Sequence, residues 1–366
     1  MIPMESPPTE ANGGDFFAAR LLDWFDAHGR HDLPWMHPRT PYRTWLSEIM
    51  LQQTQVATVI PYFLRFVTAL PELPTLAVTA PDEVLALWSG LGYYSRARNL
   101  HAAAKCCMAA HGGDLPRDFT ALLALPGIGR STAGAILAQA WGERFPILDG
   151  NVKRVLTRLY GIDGWPTAPA VEKRLWALAE AALPSSPATR PRMADYTQAQ
   201  MDLGATVCTR ARPRCDECPF TDTCVAKRES RTSELPTSRP KKIIPQRETR
   251  MLWLRDIEGR TLLARRPTSG IWASLWSLPE ADDQDGIDRL VARHAHASEM
   301  PRGEALPPIE HAFTHFRLRI RPWRLDGIAP RARVGDNDDL RWVAPEAFAA
   351  LGIPAPVRKL IEENTP

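Results

Sequence analysis

The sequence has 366 residues, which suggests two domains when a domain takes roughly 150 residues. Apolar residues make up 44% and charged residues 24%, ordinary values for a globular protein that exclude a wholly disordered chain. The net charge of +3 permits a nucleic-acid partner but does not argue for one, because clustering matters more than the sum. No apolar run reaches the ~18–20 residues of a membrane-spanning helix. The N-terminal segment also lacks the apolar stretch of a secretory signal, so we expect no membrane association.

The first part of the chain has the pattern of a helical domain. Residues 1–14 have the composition of a disordered tail. After them apolar residues recur three and four positions apart, as in Leu21, Trp24 and Phe25, and Pro and Gly interrupt the pattern often. This spacing predicts many short helices in an all-α domain over residues 15–226.

The pattern changes after a basic, proline-containing stretch. Residues 227–248 have the composition of an extended interdomain linker. Beyond it the apolar period becomes two, which is typical of strands. Residues 251–255 and 261–265 flank a Glu-Gly turn, so they predict a hairpin. Residues 249–366 are therefore expected to form a second, α+β domain.

Further elements of this second domain follow from the same patterns. Phe316, Leu318 and Ile320 alternate with arginines, which predicts a half-buried strand. Residues 284–298 and residues 345–363 have helical spacing.

Four of the six cysteines lie within seventeen residues, in the spacing Cys-x6-Cys-x2-Cys-x5-Cys. Four thiolates this close can hold one metal centre, and both a tetrathiolate zinc and a [4Fe–4S] cluster fit the spacing. A site with four protein ligands leaves no open position for a substrate, so its role is expected to be structural. The remaining pair, Cys106 and Cys107, is expected to be ordinary small buried residues. The four predicted ligands are Cys208, Cys215, Cys218 and Cys224.

A glycine-rich turn precedes a predicted helix at Leu125-Pro-Gly-Ile-Gly-Arg. Pro126, Gly127 and Gly129 allow the backbone to approach a partner closely. The N–H groups of such a turn and of the following helix suit one DNA phosphate, although a plain helix–helix turn explains the motif equally well. Asp149 begins a further helix as Asp-Gly-Asn, which predicts an N-cap and is compatible with a substrate-facing carboxylate.

Together the hairpin motif, Asp149 and the cysteine spacing resemble the helix–hairpin–helix DNA glycosylase superfamily. Residues 45–56, 90–100 and 148–155 resemble the MutY-type adenine DNA glycosylases within it. The resemblance is dense over roughly residues 16–226 and looser beyond. It implies an all-α, two-lobed glycosylase domain with DNA in its cleft and a [4Fe–4S] loop, with zinc as the minor option. It also implies a C-terminal Nudix-like domain that recognises 8-oxoguanine.

The family removes adenine mispaired with 8-oxoguanine or guanine during base excision repair. The resemblance therefore implies double-stranded DNA containing such a mispair as the partner. We expect a monomer in the bacterial cytoplasm, associated with the nucleoid. The sequence identifies no repair protein or sliding clamp that binds it.

Two carboxylates match the catalytic pair of this family. Hydrolysis of the adenine N-glycosidic bond needs a proton for the leaving base and a negative charge beside the cationic sugar. Glu48 matches the acid, and its apolar helical surroundings should raise its pKa and keep it protonated. Asp149 matches the second carboxylate and should stay ionised because it accepts N–H bonds at a helix start. Asn151 matches a residue that orients Asp149 and water.

Other matches concern the flipped adenine and the gap it leaves in the duplex. Gln52, Gln53 and Tyr93 match the intercalating and wedge positions. Gln198 falls where some relatives carry Glu, and its amide can hydrogen-bond the base edge. The adenine-pocket matches, each of which fits a plain core position equally well, are Leu33, Trp35, Leu51 and Val56.

Two features concern the reaction type and the second domain. Ser131 follows the hairpin directly, where related glycosylase/lyases carry a Lys that attacks the sugar, so we predict a monofunctional glycosylase.

Phe313, Thr314 and His315 match a Phe-Ser-His loop of the family, and the Thr keeps the hydroxyl needed to recognise 8-oxoguanine. No glutamate cluster able to hold Mg²⁺ follows Gly270, so we do not expect nucleotide diphosphohydrolase activity.

Three alternatives remain at this point. A glycosylase/lyase would need Lys at position 131. A non-enzymatic iron–sulfur DNA-binding protein would not need Glu48 and Asp149 in one cleft, and a zinc module would show no visible absorption. The enzyme hypothesis therefore requires both carboxylates to face one cavity.

Overall fold

The computed structural model describes residues 14–239, 244–281, 283–294, 303–330 and 339–364. The predicted tail up to residue 13 and residues 240–243 of the predicted linker lie outside these ranges. By their contacts the described residues form two units: the first comprises residues 14–77 and 102–239, and the second comprises residues 78–101 and those from 244 onward. In the described ranges no helix combines the length and apolarity that crossing a bilayer requires.

Twelve α-helices precede residue 240 among the described residues, most of them short. Proline and side-chain caps set several of their starts: the Thr40 hydroxyl accepts from Arg43 N–H, and Asp118 accepts from Ala121 N–H. They are α1 (Gly14–His28), α2 (Pro41–Leu51), α3 (Val56–Ala69), α4 (Leu73–Val78), α5 (Pro81–Leu87), α6 (Ser95–Ala110), α7 (Phe119–Ala124), α8 (Arg130–Trp141), α9 (Gly150–Leu159), α10 (Pro169–Ala181), α11 (Met193–Asp202) and α12 (Val225–Arg228). The all-α prediction for this part of the chain is confirmed.

Helix α8 is the central helix of the first unit. Its residues from Ala133 to Gln139 are all buried, and α2, α7 and α11 pack against it. A second apolar cluster joins Ile147 and Leu148 to α9 and α10. This packing fixes α2, α8, α9 and α11 around a common space, because close-packed side chains leave little room for helices to shift.

The second unit is built on a mixed seven-stranded sheet. The strand order is β3-β2-β1-β6-β4, with β5 also on β6 and β7 also on β2, and only β1 and β6 pair in parallel. The strands are β1 (Gln246–Asp256), β2 (Thr261–Arg265), β3 (Trp276–Ser277), β4 (Glu304–Ala305), β5 (Ile309–Ala312), β6 (Arg317–Ile328) and β7 (Leu340–Val343). Helices α13 (Gln284–His294) and α14 (Ala355–Asn364) complete it. The α+β prediction is confirmed, although β1 begins inside the predicted linker.

Most secondary-structure predictions for this unit hold, and one holds only in part. β1 and β2 form the expected antiparallel hairpin, and β6 buries Leu318 and Ile320 while exposing Arg317. The helical prediction for residues 345–363 is only partly right, because the range divides into a 3-10 turn (Pro345–Ala350) and the separate helix α14. Pro354 stands between them, where its missing N–H prevents a continuous helix.

Candidate active site

The first unit contains a cavity of about 770 Å³ among α2, α8, α9 and α11. A space of this size holds a small organic ligand. Ten of the residues predicted from the sequence line it, although they come from separate parts of the chain. They are Leu33, Trp35, Glu48, Leu51, Gln52, Val56, Ser131, Asp149, Asn151 and Gln198. The requirement that the two carboxylates face one cavity is met.

Glu48 lies on α2 and reaches the cavity from an otherwise apolar helix face. Gln139 of α8 donates a hydrogen bond from Nε2 to Glu48 Oε1 at 2.8 Å. Burial raises the pKa of Glu48 to about 7, and the nearby Asp149 charge adds to this, while the Gln139 bond opposes it. Glu48 is therefore about half protonated at neutral pH, whereas an ordinary glutamate would be ionised. Gln139 is a residue that the sequence analysis missed.

Asp149 is both the N-cap of α9 and a wall of the cavity. Its Oδ1 accepts from Val152 N–H at 2.8 Å, and its Oδ2 accepts from Asn151 Nδ2 at 3.0 Å. Burial raises the pKa of Asp149, but these hydrogen bonds and the charge of Arg154 oppose the rise. Asp149 has more donors than Glu48, so a single proton shared by the pair resides on Glu48.

Asn151 is held in one orientation by Arg154. Its Oδ1 accepts from Arg154 Nη2 at 2.8 Å, which leaves its amide N–H groups for Asp149. The same guanidinium donates to Cys208 O and Gly204 O, both at 2.7 Å. A chain of hydrogen bonds thus runs from the start of the cysteine loop to Asp149. The sequence analysis missed Arg154, although its place one turn after Asn151 was a usable signal.

Gln198 is oriented in the same way by a buried carboxylate. Asp202 accepts from Gln198 Nε2 at 2.7 Å and from the backbone N–H and guanidinium of Arg30. Because an ionised carboxylate only accepts, the Gln198 Oε1 is left over as an acceptor. This buried atom has no hydrogen-bond partner in the part of the chain that the structure describes. Asp202 and Arg30 were not predicted from the sequence.

Ser131, directly after the hairpin, holds the backbone that leads into Asp149. Ser131 Oγ accepts from Leu148 N–H at 2.9 Å, directly before Asp149 in the chain. Gly127 adopts a φ of 80°, which favours glycine, and Gly129 is the N-cap of α8. No described side chain caps that helix start, so its first N–H groups remain available. Pro126, Gly127 and Gly129 are not part of the cavity wall.

The other predicted DNA contacts lie elsewhere. Gln53 and Tyr93 are exposed and have positive φ angles of 58° and 48°. Tyr93, Phe313 and Thr314 line a separate cavity of about 340 Å³ in the second unit. His315 is not part of that wall, but its ring contacts the Phe313 ring.

The four predicted metal ligands line one small pocket, beside Arg158. Arg158 Nη1 lies 3.4 Å from Cys208 Sγ, and its guanidinium also donates to Thr209 O and Leu235 O. All four thiols are free of disulfides, although among the described residues no three ligating side chains already stand in metal-coordinating positions. Four convergent sulfur donors beside a cation suit an iron–sulfur cluster or zinc. The prediction for the other pair is half right, since Cys107 is buried but Cys106 is exposed.

Comparisons with known proteins agree with this arrangement. The profile of the HhH-GPD superfamily base excision DNA repair protein matches residues 46–181, and that of the NUDIX domain matches residues 250–363. Adenine DNA glycosylase from Buchnera aphidicola subsp. Acyrthosiphon pisum is 36% identical over 348 residues, covering 94% of this chain and 97% of the relative. The human adenine DNA glycosylase is 33% identical, covering 94% of this chain and 73% of the relative. A thermostable thymine-DNA glycosylase structure aligns with a TM-score of 0.52 at 28% identity, covering 58% of this chain and 95% of that one.

Replacing Gln139 tests the electrostatic account of Glu48. The Gln139 N–H favours the ionised carboxylate, so Gln139→Leu should raise the pKa of Glu48 further above about 7. The pKa is measured by NMR titration of carboxyl-labelled glutamates. Gln200→Leu on α11 is the control, because Gln200 is buried but does not line the cavity. A Glu48 pKa that stays constant or falls in Gln139→Leu would contradict this account.

Proposed function

The chain belongs to the adenine DNA glycosylase family, and from that premise we propose that it excises adenine mispaired with 8-oxoguanine or guanine in duplex DNA. The reaction hydrolyses the N-glycosidic bond and leaves the DNA strand intact. The observation that carries this proposal is the convergence of Glu48 and Asp149 on one cavity, where burial raises the pKa of Glu48 to about 7. Neither carboxylate reaches an adenine inside a duplex, so the base must flip into the cavity.

Glu48 supplies the proton for the leaving base. As the bond from the sugar C1′ to adenine N9 breaks, N9 takes the electron pair, and a proton from Glu48 on N7 prevents departure as an anion. A pKa of about 7 suits this step, because a large fraction of the acid is protonated at neutral pH and still gives up its proton readily. A positioned general acid contributes roughly 10²–10⁴-fold to the rate.

Asp149 stabilises the cationic sugar that remains. Its carboxylate is fixed by Val152 N–H and Asn151, so it does not have to reorganise as charge develops. Water then adds to C1′ and gives its proton to the Glu48 carboxylate, which the first step left unprotonated, and an abasic site remains. Asn151 holds Asp149 and is placed beside the cavity where this water must enter.

The cavity walls provide selectivity for adenine. Leu33, Trp35, Leu51 and Val56 supply apolar surface for the two faces of the base. Gln198 supplies an unpartnered acceptor, Oε1, which suits the exocyclic amino group of adenine. A base with a carbonyl in place of the exocyclic amino group has no donor there, so it would leave Gln198 Oε1 without a hydrogen bond.

The remaining predicted residues bind the DNA. The available N–H groups of the hairpin at Pro126, Gly127 and Gly129 suit one phosphate. Gln52, Gln53 and Tyr93 fill the gap that the flipped adenine leaves. Phe313, Thr314 and His315 recognise the opposite 8-oxoguanine, which is supported by the cavity that Phe313 and Thr314 share with Tyr93. Because the substrate is chromosomal DNA, we place the activity at the bacterial nucleoid.

Two further assignments complete the proposal. Ser131 cannot form a Schiff base, and its hydroxyl already accepts from Leu148 N–H, so strand cleavage is not expected. The four cysteines hold a [4Fe–4S] cluster that cross-links residues 208–224. Support comes from their shared pocket and from the family, in which relatives cover nearly the whole chain. The cross-linked loop in turn holds Arg154 through Cys208 O.

Replacing Glu48 tests the acid and the reaction type together. Single-turnover cleavage of a duplex with adenine opposite 8-oxoguanine should fall as the pH rises through about 7, because Glu48 must be protonated. Glu48→Gln should lower the rate by roughly 10²–10⁴-fold and remove this pH dependence. Strand breaks should need added alkali. The exposed Glu72→Gln is the control and should behave as wild type.

Other outcomes of this assay point to the alternatives. Strand breaks without alkali would mean a glycosylase/lyase. No release of adenine, by protein whose visible cluster absorption is intact, would mean a DNA-binding protein.

Replacing Gly204 tests the positioning of Asp149. A Cβ at Gly204 would lie 2.5 Å from Asn151 Cβ, too close for any side chain. Gly204→Ala should displace Asn151 and lower the single-turnover rate by roughly 10–100-fold, because Asp149 loses its alignment. Gly150→Ala is the matched control, since a Cβ there meets nothing within 4 Å although it lies between Asp149 and Asn151. Equal effects of the two substitutions would refute this role for Asn151.

A further inference from the structure

Tyr93 lies in a turn whose shape is not imposed by its own sequence. It is 48% exposed and has a φ of 48°, and Gly90 and Gly92 beside it have φ angles of 98° and 74°. A positive φ costs a tyrosine free energy, so neighbouring contacts must hold the turn in place. The turn lies between α5 and α6, in the stretch 78–101 that belongs to the second unit.

Asp82 in the first turn of α5 anchors one end of this stretch. Its Oδ2 accepts from Trp276 Nε1 at 3.2 Å, and its Oδ1 accepts from Arg265 Nη2 at 3.2 Å. Arg341 Nη2 forms an ion pair with Oδ2 at 3.6 Å. One carboxylate thus meets three donors from β2, β3 and β7. Only 24% of the Asp82 side chain is exposed, so solvent screens these interactions less than on an open surface.

The three donors also contact one another, because both arginines lie over the Trp276 ring. The Arg341 guanidinium lies 3.9 Å from the centre of the Trp276 ring, and the Arg265 guanidinium lies 5.7 Å from it. Trp276 is fully buried, and its ring therefore gives both arginines a fixed surface to stack on. The sheet therefore holds the three donors in fixed positions around the Asp82 carboxylate.

A second anchor lies on the other side of Tyr93. Arg98 Nη1 donates to Ala273 O at 2.8 Å. Ala273 follows Trp272, whose ring centre lies 5.5 Å from that of Phe313. The backbone that holds Arg98 is therefore continuous with the aromatic residues beside the Phe313–Thr314 loop. Tyr93 and Phe313 line the same cavity from these two sides.

We propose that Asp82 is a positioning residue that determines how strongly the protein prefers 8-oxoguanine over guanine opposite adenine. Together with Trp276, Arg265 and Arg341 it sets the distance between the Tyr93 turn and the Phe313–Thr314 loop. Both segments must contact the base opposite adenine at once, so a change in their spacing weakens recognition of 8-oxoguanine. The inference rests on the proposed function and deepens it. Hydrolysis itself depends on Glu48 and Asp149, which belong to the other unit.

The preference is measured as the ratio of single-turnover rates on duplexes with adenine opposite 8-oxoguanine and opposite guanine. Asp82→Asn keeps the size of the side chain and removes its charge. It should lower this ratio about tenfold, the effect of losing one charge-assisted hydrogen bond, because the rate opposite 8-oxoguanine falls more than the rate opposite guanine. Glu83→Gln removes the same charge from the exposed neighbouring residue and should leave the ratio at the wild-type value.

Two further variants separate positioning from loss of structure. Arg341→Gln removes a donor whose side chain is 46% exposed, so it should lower the ratio while melting temperature and cluster absorption stay at wild-type values. Tyr93→Ala removes the side chain that Asp82 is proposed to position. Adding Asp82→Asn to this variant should therefore lower the ratio little further. Additive effects in the double variant would mean that Asp82 does not act through Tyr93 and would overturn the inference.

The remaining outcomes distinguish this inference from the proposed function. If wild-type protein discriminates and both Asp82→Asn and Arg341→Gln keep the wild-type ratio, the inference alone is wrong. If wild-type protein releases adenine equally from both duplexes, recognition of 8-oxoguanine is wrong and the inference fails with it. If no adenine is released from either duplex, the proposed enzyme activity itself is wrong.

Discussion

Glu48 and Asp149 line one cavity, and ionising both of them there costs free energy through lost solvation and mutual repulsion. The two carboxylates differ in the number of hydrogen-bond donors that they receive from neighbouring residues. Asp149 receives N–H groups from the start of α9 and from Asn151, whereas among the described residues Glu48 receives the Gln139 amide alone. A proton shared by the pair therefore resides mainly on Glu48, and the difference between the two carboxylates is set by hydrogen bonds rather than by residue type.

Asn151 and Gln198, which line the cavity, are themselves held by polar side chains three and four residues further along their own helices. Arg154 orients Asn151 and connects it to the backbone of the cysteine loop, and Asp202 orients Gln198. Buried polar groups are costly unless every partner is in place, so such networks permit one arrangement only. Asp82 has the same role in the second unit, where one carboxylate collects donors from separate strands.

Much of the site was predicted from sequence because its residues belong to motifs with local causes. Asp149 precedes an apolar helix as Asp-Gly-Asn, and the structure confirms it as an N-cap. Glu48 stands alone on an apolar helical stretch, which indicated burial. Gln139, Asp202 and Asp82 were missed because nothing in their neighbouring residues distinguishes them from surface polar residues. Gln139 and Asp82 act through partners more than 90 residues away, such as Glu48 for Gln139, and Asp202 joins Gln198 to the distant Arg30.

By itself the sequence determined the helical and α+β halves, the cysteine spacing, the absence of Lys at position 131 and the identity of the two carboxylates. The two halves and the cysteine spacing follow from local patterns that act over a few residues, whereas Glu48 and Asp149 were predicted as a catalytic pair through resemblance to a glycosylase family. Only the tertiary structure decided which carboxylate holds the proton, which oxygen of Gln198 is available, and that residues 78–101 pack with the C-terminal sheet. The reason is that pKa values and amide orientation depend on burial and on donors that folding brings together from remote segments.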